Sequence, residues 1–387
     1  MTHVLMTYPG MIPSVLLCGQ YQLEYLAKMG KIEFRSIQRD SLTAEDCGWA
    51  DVIFLVRSDS ELEVELAKKW KRAGKRLVYV LDDDLLNVPD TISSGGFYAQ
   101  KVVQKSIQTL LELCDVFLSP SEKLREKYGM VKSAPIEEPS LRHPTKVTHH
   151  DGPVRIGFAG SVDRAEELDE LLSKVIETLL ERYGDCISVE FFGAHPKLAD
   201  TNSLHCISYC DSYEKYQRTM EALDWDIGLA PMPNTPFHAC KHYNKFVEYA
   251  GYGIAGVYSE VVPYTHIVRH GENGLLCGND VGSWIAAISR LIDDKVLREH
   301  IAANAQRQSQ DELSILSTAL ALYAAIGETL SYIAPDHGEL FITLPASLRL
   351  KVRRAIFALL RYGIHAPAIA VKKIRKRFTK RKEISTI

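Results

Sequence analysis

The chain has eight cysteines and no Cys-x-x-Cys pair. The nearest two, Cys206 and Cys210, have no second pair to match them, so neither a zinc site nor a disulfide framework is indicated. No apolar run approaches the roughly 18 residues that a membrane-spanning helix needs. The opening residues MTHVLMTYPG carry neither the basic segment nor the continuous apolar stretch of a signal peptide. His238 and His242 stand four apart in HACKH, but Ala239 occupies the place that a zinc protease gives to glutamate. These absences predict a cytoplasmic protein with reduced thiols.

Net charge is also small, at −3 over 387 residues, but it is segregated. From Leu344 onward there are 13 Lys or Arg, spanning Arg349 to Lys382, against the single acid Glu383. The remainder holds 33 basic and 48 acidic residues. Charge separated in this way speaks of partners rather than of fold.

What is present is alternation. Short apolar runs at 3–8, 32–37, 51–56, 76–81 and 115–120 alternate with helical patterns at 14–30, 60–73 and 99–113. Residues 133–153, with four prolines and no periodicity, make the best linker. Alternation then restarts, with strands at 154–160, 187–193, 226–232, 254–259 and 273–277, helices at 165–183, 212–223 and 241–250, and further helices to about 331. This predicts an α/β protein of two Rossmann-like domains, 1–145 and 153–331, followed by a basic tail over 344–387. Parallel sheets of this kind bind ligands beyond the carboxyl ends of their strands, so two such domains would face a central cleft.

Two glycine motifs bear on chemistry. Gly251-x-Gly253-x-x-Gly256 has the spacing of a dinucleotide fingerprint, but it closes a helix and leads into a strand, the reverse of the order that motif requires. In YPGMIPS, after the first strand, Gly10 permits close backbone approach and Ser14 can cap the next helix.

Three adjacent acids, Asp82, Asp83 and Asp84, end the apolar run of RLVYVL. By themselves they fit a metal site, proton chemistry or a simple cap. In segment 237–276, Lys241, Lys245 and Glu248 fall at i, i+4 and i+7 and would share one helix face. Two cations suit a diphosphate, and a carboxylate one turn on suits ribose hydroxyls. A solvated Lys/Lys/Glu face has the same spacing.

The same segment resembles the C-terminal domain of the GT4-type glycosyltransferases (glycosyltransferase group 1), the retaining branch with the GT-B fold. The resemblance is carried by Lys241, Lys245, Glu248-Tyr249, Gly253, Val257-Tyr258-Ser259, Pro263-Tyr264, Ile267 and Gly271-Glu272-Asn273-Gly274-Leu275-Leu276. It extends over about 154–305 and weakens in the N-terminal half. It implies that Glu248 holds the donor ribose and that Lys245 neutralises the donor diphosphate, with Arg164, Lys241 and the backbone N–H groups of Gly160 and Ser161 assisting. Pro263 and Tyr264 fall on the donor side, and the Gly10 loop borders the donor phosphates. The first glutamate of the family's E-x7-E pair falls on Cys240, a departure that leaves the sugar open. Asp82 and Asp83 would lie near the acceptor and the reacting sugar, with one of the three acids serving as a cap. No cofactor and no catalytic metal are expected.

The tail combines a basic amphipathic stretch, with Val352, Ile356, Leu359 and Leu360 at helical spacing, and the cluster KKIRKRFTKRK. Residues 349–382 would bind an anionic membrane surface, placing the protein at the inner face of the cell membrane. No nucleic-acid-binding module is visible, and a solubilising tail is the plainer alternative. The implied activity is transfer of a sugar from a nucleotide-sugar donor to a glycan or lipid-linked acceptor, in cell-surface polysaccharide synthesis. A nucleotide-sugar 2-epimerase and a non-catalytic nucleotide-sugar-binding scaffold are the alternatives.

Overall fold

The computed structural model describes residues 1–129, 132–141, 152–210, 212–335 and 352. The basic tail with its expected membrane-binding stretch 349–382, apart from exposed Val352, lies outside the described residues. So does the 142–151 part of the predicted linker.

Two six-stranded sheets form, both wholly parallel. The first contains β1 (Thr2–Tyr8), β2 (Ile32–Gln38), β3 (Val52–Val56), β4 (Arg76–Val80), β5 (Val116–Ser119) and β6 (Lys132–Pro135), in the order β2-β1-β3-β4-β5-β6. The second contains β7 (Val154–Gly160), β8 (Ile187–Gly193), β9 (Leu204–Ile207), β10 (Ile227–Ala230), β11 (Ala255–Ser259) and β12 (Leu275–Cys277), in the order β12-β11-β10-β7-β8-β9. The central strands are apolar on both sides because helices cover both faces; all five residues of β3 are buried. The strand order reverses beside β1 in one sheet and beside β7 in the other. Ligand crevices form at such switch points.

Four features depart from the sequence reading. The helix expected over 14–30 is broken at Cys18 (φ −101°, ψ 44°) and Gly19 and resumes over Tyr21–Lys28. The linker expected from 133 begins instead as β6, a short edge strand that places Pro135 where no further ladder is needed. Ile136, Glu138 and Ser140 after it are buried, and Ser140 N–H donates to the Leu313 carbonyl at 2.7 Å. The last helix, Ile315–Leu330, falls within the predicted second domain, 153–331. It packs on the first, where Ala319, Leu322, Ile326 and Leu330 join Val4, Met6, Leu23, Val52 and Phe54 in one core cluster. An apolar helix face shows that it packs, not on which sheet. The fourth departure is at Lys241, described below.

Among the described residues no single helix is long and apolar enough to cross a membrane. The pair Lys295–Glu312 and Ile315–Leu330 passes that test together, but it is bent by 47°, and both members contribute buried residues to the cores.

Candidate functional site

The carboxyl end of β7 meets the N-terminus of helix Asn244–Tyr252 at a cavity of about 440 Å³ between the two halves. Gly160, Ser161, Arg164, Lys245 and Glu248 line it from the second half, and Glu138 lines it from the first. Five sequence-selected residues, drawn from two separated stretches, therefore come together.

Each is held by a local cause. Arg164 stacks its guanidinium 5.3 Å over the Phe158 ring, donates to the Pro231 carbonyl and pairs with Glu167 at 3.3 Å. Beside it, Gly193 closes β8 with φ +92°, and a Cβ there would stand 2.2 Å from the Gly160 carbonyl oxygen. Only glycine permits that approach of the two strand ends.

Lys245 Nζ lies 2.5 Å from Glu248 Oε2, one helical turn apart, and Tyr216 donates its hydroxyl to Glu248 Oε1 at 2.5 Å. The Tyr216 ring stacks on Phe192 at 5.1 Å. Burial, reinforced by the Glu248 carboxylate, pushes the Tyr216 phenol well above its ordinary pKa, so it remains a hydrogen-bond donor.

Lys241 is not on this helix. It follows the short turn His238–Cys240 in extended conformation (φ −80°, ψ 166°), because the helix begins only at Asn244. The shared face predicted for Lys241, Lys245 and Glu248 is thus reduced to the last two. Lys241 Nζ instead crosses to the first half and pairs with Asp83 at 2.9 Å. Cys240 beside it is buried in the first half's core cluster.

The three aspartates diverge. Arg57, which carries a non-glycine positive φ of 50° at the end of β3, pairs with Asp82 at 2.5 Å and with Asp83 at 3.4 Å. Burial alone would raise the Asp83 pKa; Lys241 and Arg57 overcome it and hold the carboxyl down to about 2. Asp84 turns inward, is 1 % exposed, and binds Lys127 at 2.6 Å, Tyr128 at 2.5 Å and Asn87 at 3.1 Å. It anchors the chain after β4 and is a structural residue. Among the described residues no three His, Cys, Asp or Glu side chains gather as a metal-holding group.

The remaining selected residues join neither group. Gly10 is half-buried in the loop after β1 and lines neither the cavity nor the aspartate cluster. Pro263, preceded by a cis peptide bond, borders a separate 160 Å³ cavity. Tyr264 is 1 % exposed and packs 5.0 Å from Tyr258 in the core.

Sequence reasoning missed a buried acid–base cluster. Glu138 is 2 % exposed and accepts from the Cys18 thiol at 3.2 Å, and His242 Nδ1 stands 3.8 Å from it. Glu137 lies 3.6 Å from His242 Nε2 and accepts from the Tyr243 hydroxyl at 2.8 Å. Burial, with Asp82 and Asp83 nearby and only partly offset by His242, pushes the Glu138 carboxyl up to about 7. Burial opposes charge on His242, but Glu137 and Glu138 outweigh it and raise its pKa. The segment IEEP read as linker because its burial comes from chain that is distant from it in sequence.

No protein family's sequence profile matches the chain, and no curated protein matches it. Solved structures do match it. Sucrose-phosphate synthase from Thermosynechococcus elongatus is 12 % identical with a TM-score of 0.57, over 85 % of this chain and 99 % of that one. HepE of Anabaena in complex with UDP is 13 % identical with a TM-score of 0.55, over 85 % and 100 %. UDP-GlcNAc 2-epimerase from Neisseria meningitidis bound to UDP-GlcNAc is 12 % identical with a TM-score of 0.51, over 84 % and 100 %. This likeness, with the two parallel sheets meeting at a cleft, places the chain in the GT-B fold of two Rossmann-like domains.

Proposed function

We propose that this chain is a glycosyltransferase that binds a nucleoside-diphosphate sugar in the 440 Å³ cavity and passes the sugar to an acceptor alcohol. The observation that carries the reading is the meeting of Lys245, Glu248 and Arg164 in one wall, at the carboxyl ends of parallel strands. Donor binding would exchange partners there. Ribose hydroxyls donate to Glu248, and Lys245 turns from Glu248 to the diphosphate. Lys245 and Arg164 then stabilise charge developing on the leaving nucleotide, assisted by the N–H groups of Gly160 and Ser161. Asp83, paired with Lys241 across the cleft, holds the two halves in register beside the reacting sugar, and Arg57 clamps Asp82 next to it within the first half.

The proposal includes retention of anomeric configuration, no need for a catalytic metal, and a glycan or lipid-linked acceptor at the cytoplasmic face of a membrane. The sequence resemblance and the basic tail support these finer points. HepE is solved with UDP and the Neisseria epimerase with UDP-GlcNAc, so uridine nucleotides are the first donors to try.

The test is release of free nucleotide from a panel of nucleotide sugars, with and without EDTA. Release from one donor that survives EDTA is the expected result. Release abolished by EDTA would overturn metal independence. Nucleotide binding without turnover on any acceptor would turn the assignment to a scaffold.

One observation favours a second reading, a nucleotide-sugar 2-epimerase. Glu138 lines the cavity with its carboxyl pushed up to about 7, the kind of group that can take and return a proton near neutrality. Incubation of donor in D2O separates the two: deuterium at sugar C2 with epimerised product supports the epimerase, and its absence supports transfer.

A further inference from the structure

Both oxygens of the Glu248 carboxylate are taken, and by donors of different kinds. Tyr216 donates its hydroxyl to Oε1 at 2.5 Å, and Lys245 Nζ lies 2.5 Å from Oε2. A third contact, from Lys245 Nζ to the Tyr216 hydroxyl oxygen at 3.3 Å, closes the triangle. All three residues line the 440 Å³ cavity.

The two donors differ in how freely they move. Tyr216 lies on helix Tyr213–Leu223, which Ser212 caps by accepting from the Lys215 N–H at 3.4 Å. Tyr213 stands one turn before it on the same face, and the two rings stack at 6.1 Å with 12° between their planes. The Tyr216 ring also stacks on Phe192, at 5.1 Å and 20°, near the end of β8. The phenol therefore cannot leave Oε1 without unstacking from two rings. Lys245 carries its ammonium on a flexible four-carbon stem and can swing to another anion. Its side chain is 17 % exposed and that of Glu248 19 %, and among the described residues Lys245 makes no other ion pair. A cation this shielded gives up its counter-charge only for another one.

We propose that Tyr216 is a positioning residue that divides Glu248 between its two oxygens, so that ribose and diphosphate are read as one coupled unit. The stacked phenol holds Oε1 and fixes the carboxylate plane. Oε2 passes from Lys245 to a ribose hydroxyl only when a diphosphate takes Lys245. This rests on the reading of the cavity as a nucleotide-sugar site, and it adds a specificity to it. A nucleoside without phosphates would have to displace Lys245 and leave its charge unpaired, so nucleosides are turned away although they carry the same ribose. By linkage, the ribose hydroxyls strengthen diphosphate binding by the same factor.

The test is calorimetric titration of the full chain. UDP, GDP, ADP and CDP are tried first, and the diphosphate that binds is compared with its nucleoside and with its 2′,3′-dideoxy counterpart. The wild type should bind the ribose form about tenfold or more tighter than the dideoxy form. Tyr216→Phe keeps the ring and its stacking and removes only the hydroxyl. The carboxylate is then free to turn both oxygens to Lys245, and the ratio should fall to about threefold or less. A general folding defect would weaken both forms alike and leave the ratio unchanged. Lys245→Met frees Oε2 without an anion, so it should bind the bare nucleoside about threefold or more tighter than the wild type while binding the diphosphate more weakly. No ribose preference in the wild type, an unchanged ratio in Tyr216→Phe, or a nucleoside bound no tighter by Lys245→Met, undetectable binding by both included, would each overturn the proposal. Failure of all four diphosphates to bind would sink the nucleotide-sugar reading itself, so the two failures are told apart.

Discussion

Lys245 and Glu248 occupy one turn of helix Asn244–Tyr252, 2.5 Å apart, and both line the cavity between the two halves. A cation and an anion so placed neutralise each other while the site is empty and are each available when a ligand brings its own diphosphate and hydroxyls. Glu248→Gln should therefore raise the donor KM by about tenfold, the loss of one charge-assisted hydrogen bond, with a smaller change in kcat. Steady-state kinetics with the donor identified by nucleotide release checks this. An unchanged KM would remove Glu248 from ribose binding.

Asp83 and Asp84 are neighbours in sequence but should behave as different kinds of residue. Asp84→Ala removes a carboxylate that is 1 % exposed and strands the groups that donate to it, so it should cost about 3 kcal/mol. The Asp83 side chain is 26 % exposed and its partner Lys241 28 % exposed. Solvent screening leaves that pair worth about 1 kcal/mol or less. Denaturant midpoints of the two variants measure the contrast, and equal losses would contradict it.

The buried cluster makes stability depend on pH. Glu138 has its folded pKa raised to about 7, and that of His242 is raised as well. For both groups the folded protein holds its proton more tightly than the unfolded chain does. Their contribution is therefore fully present at low pH and is lost as pH rises through the raised values. From about pH 4.5 up to about 7 the unfolding midpoint should fall, and Glu138→Gln should flatten the fall by an amount on the order of 3 kcal/mol. A variant whose profile tracks the wild type would show that Glu138 is not the group titrating.

Gly193→Ala forces a side chain onto a φ of +92° and to 2.2 Å from the Gly160 carbonyl. A loss of about 2 kcal/mol or more is expected, with weaker nucleotide binding because the Gly160 edge of the cavity must move. Full stability in thermal unfolding would contradict the close approach.

Much of this architecture is legible in the sequence. Strands of a parallel sheet are buried on both faces, so VIFLV and RLVYVL stand out as apolar runs. KSAP (132–135) and LHCI (204–207) do not, because short edge strands carry mixed residues. Helical spacing correctly joined Lys245 to Glu248. It wrongly added Lys241, since periodicity does not show that the helix begins only at Asn244. Arg57 was missed although it stands directly after an apolar strand, and Glu138 was missed because its partners Cys18 and His242 are distant in sequence.

The central claim is that Lys245 stabilises charge on a departing nucleotide diphosphate. Its most direct test is the rate of sugar transfer by Lys245→Ala at saturating donor. The account predicts a fall in kcat of about 100-fold or more with the fold intact. Undiminished transfer would contradict it.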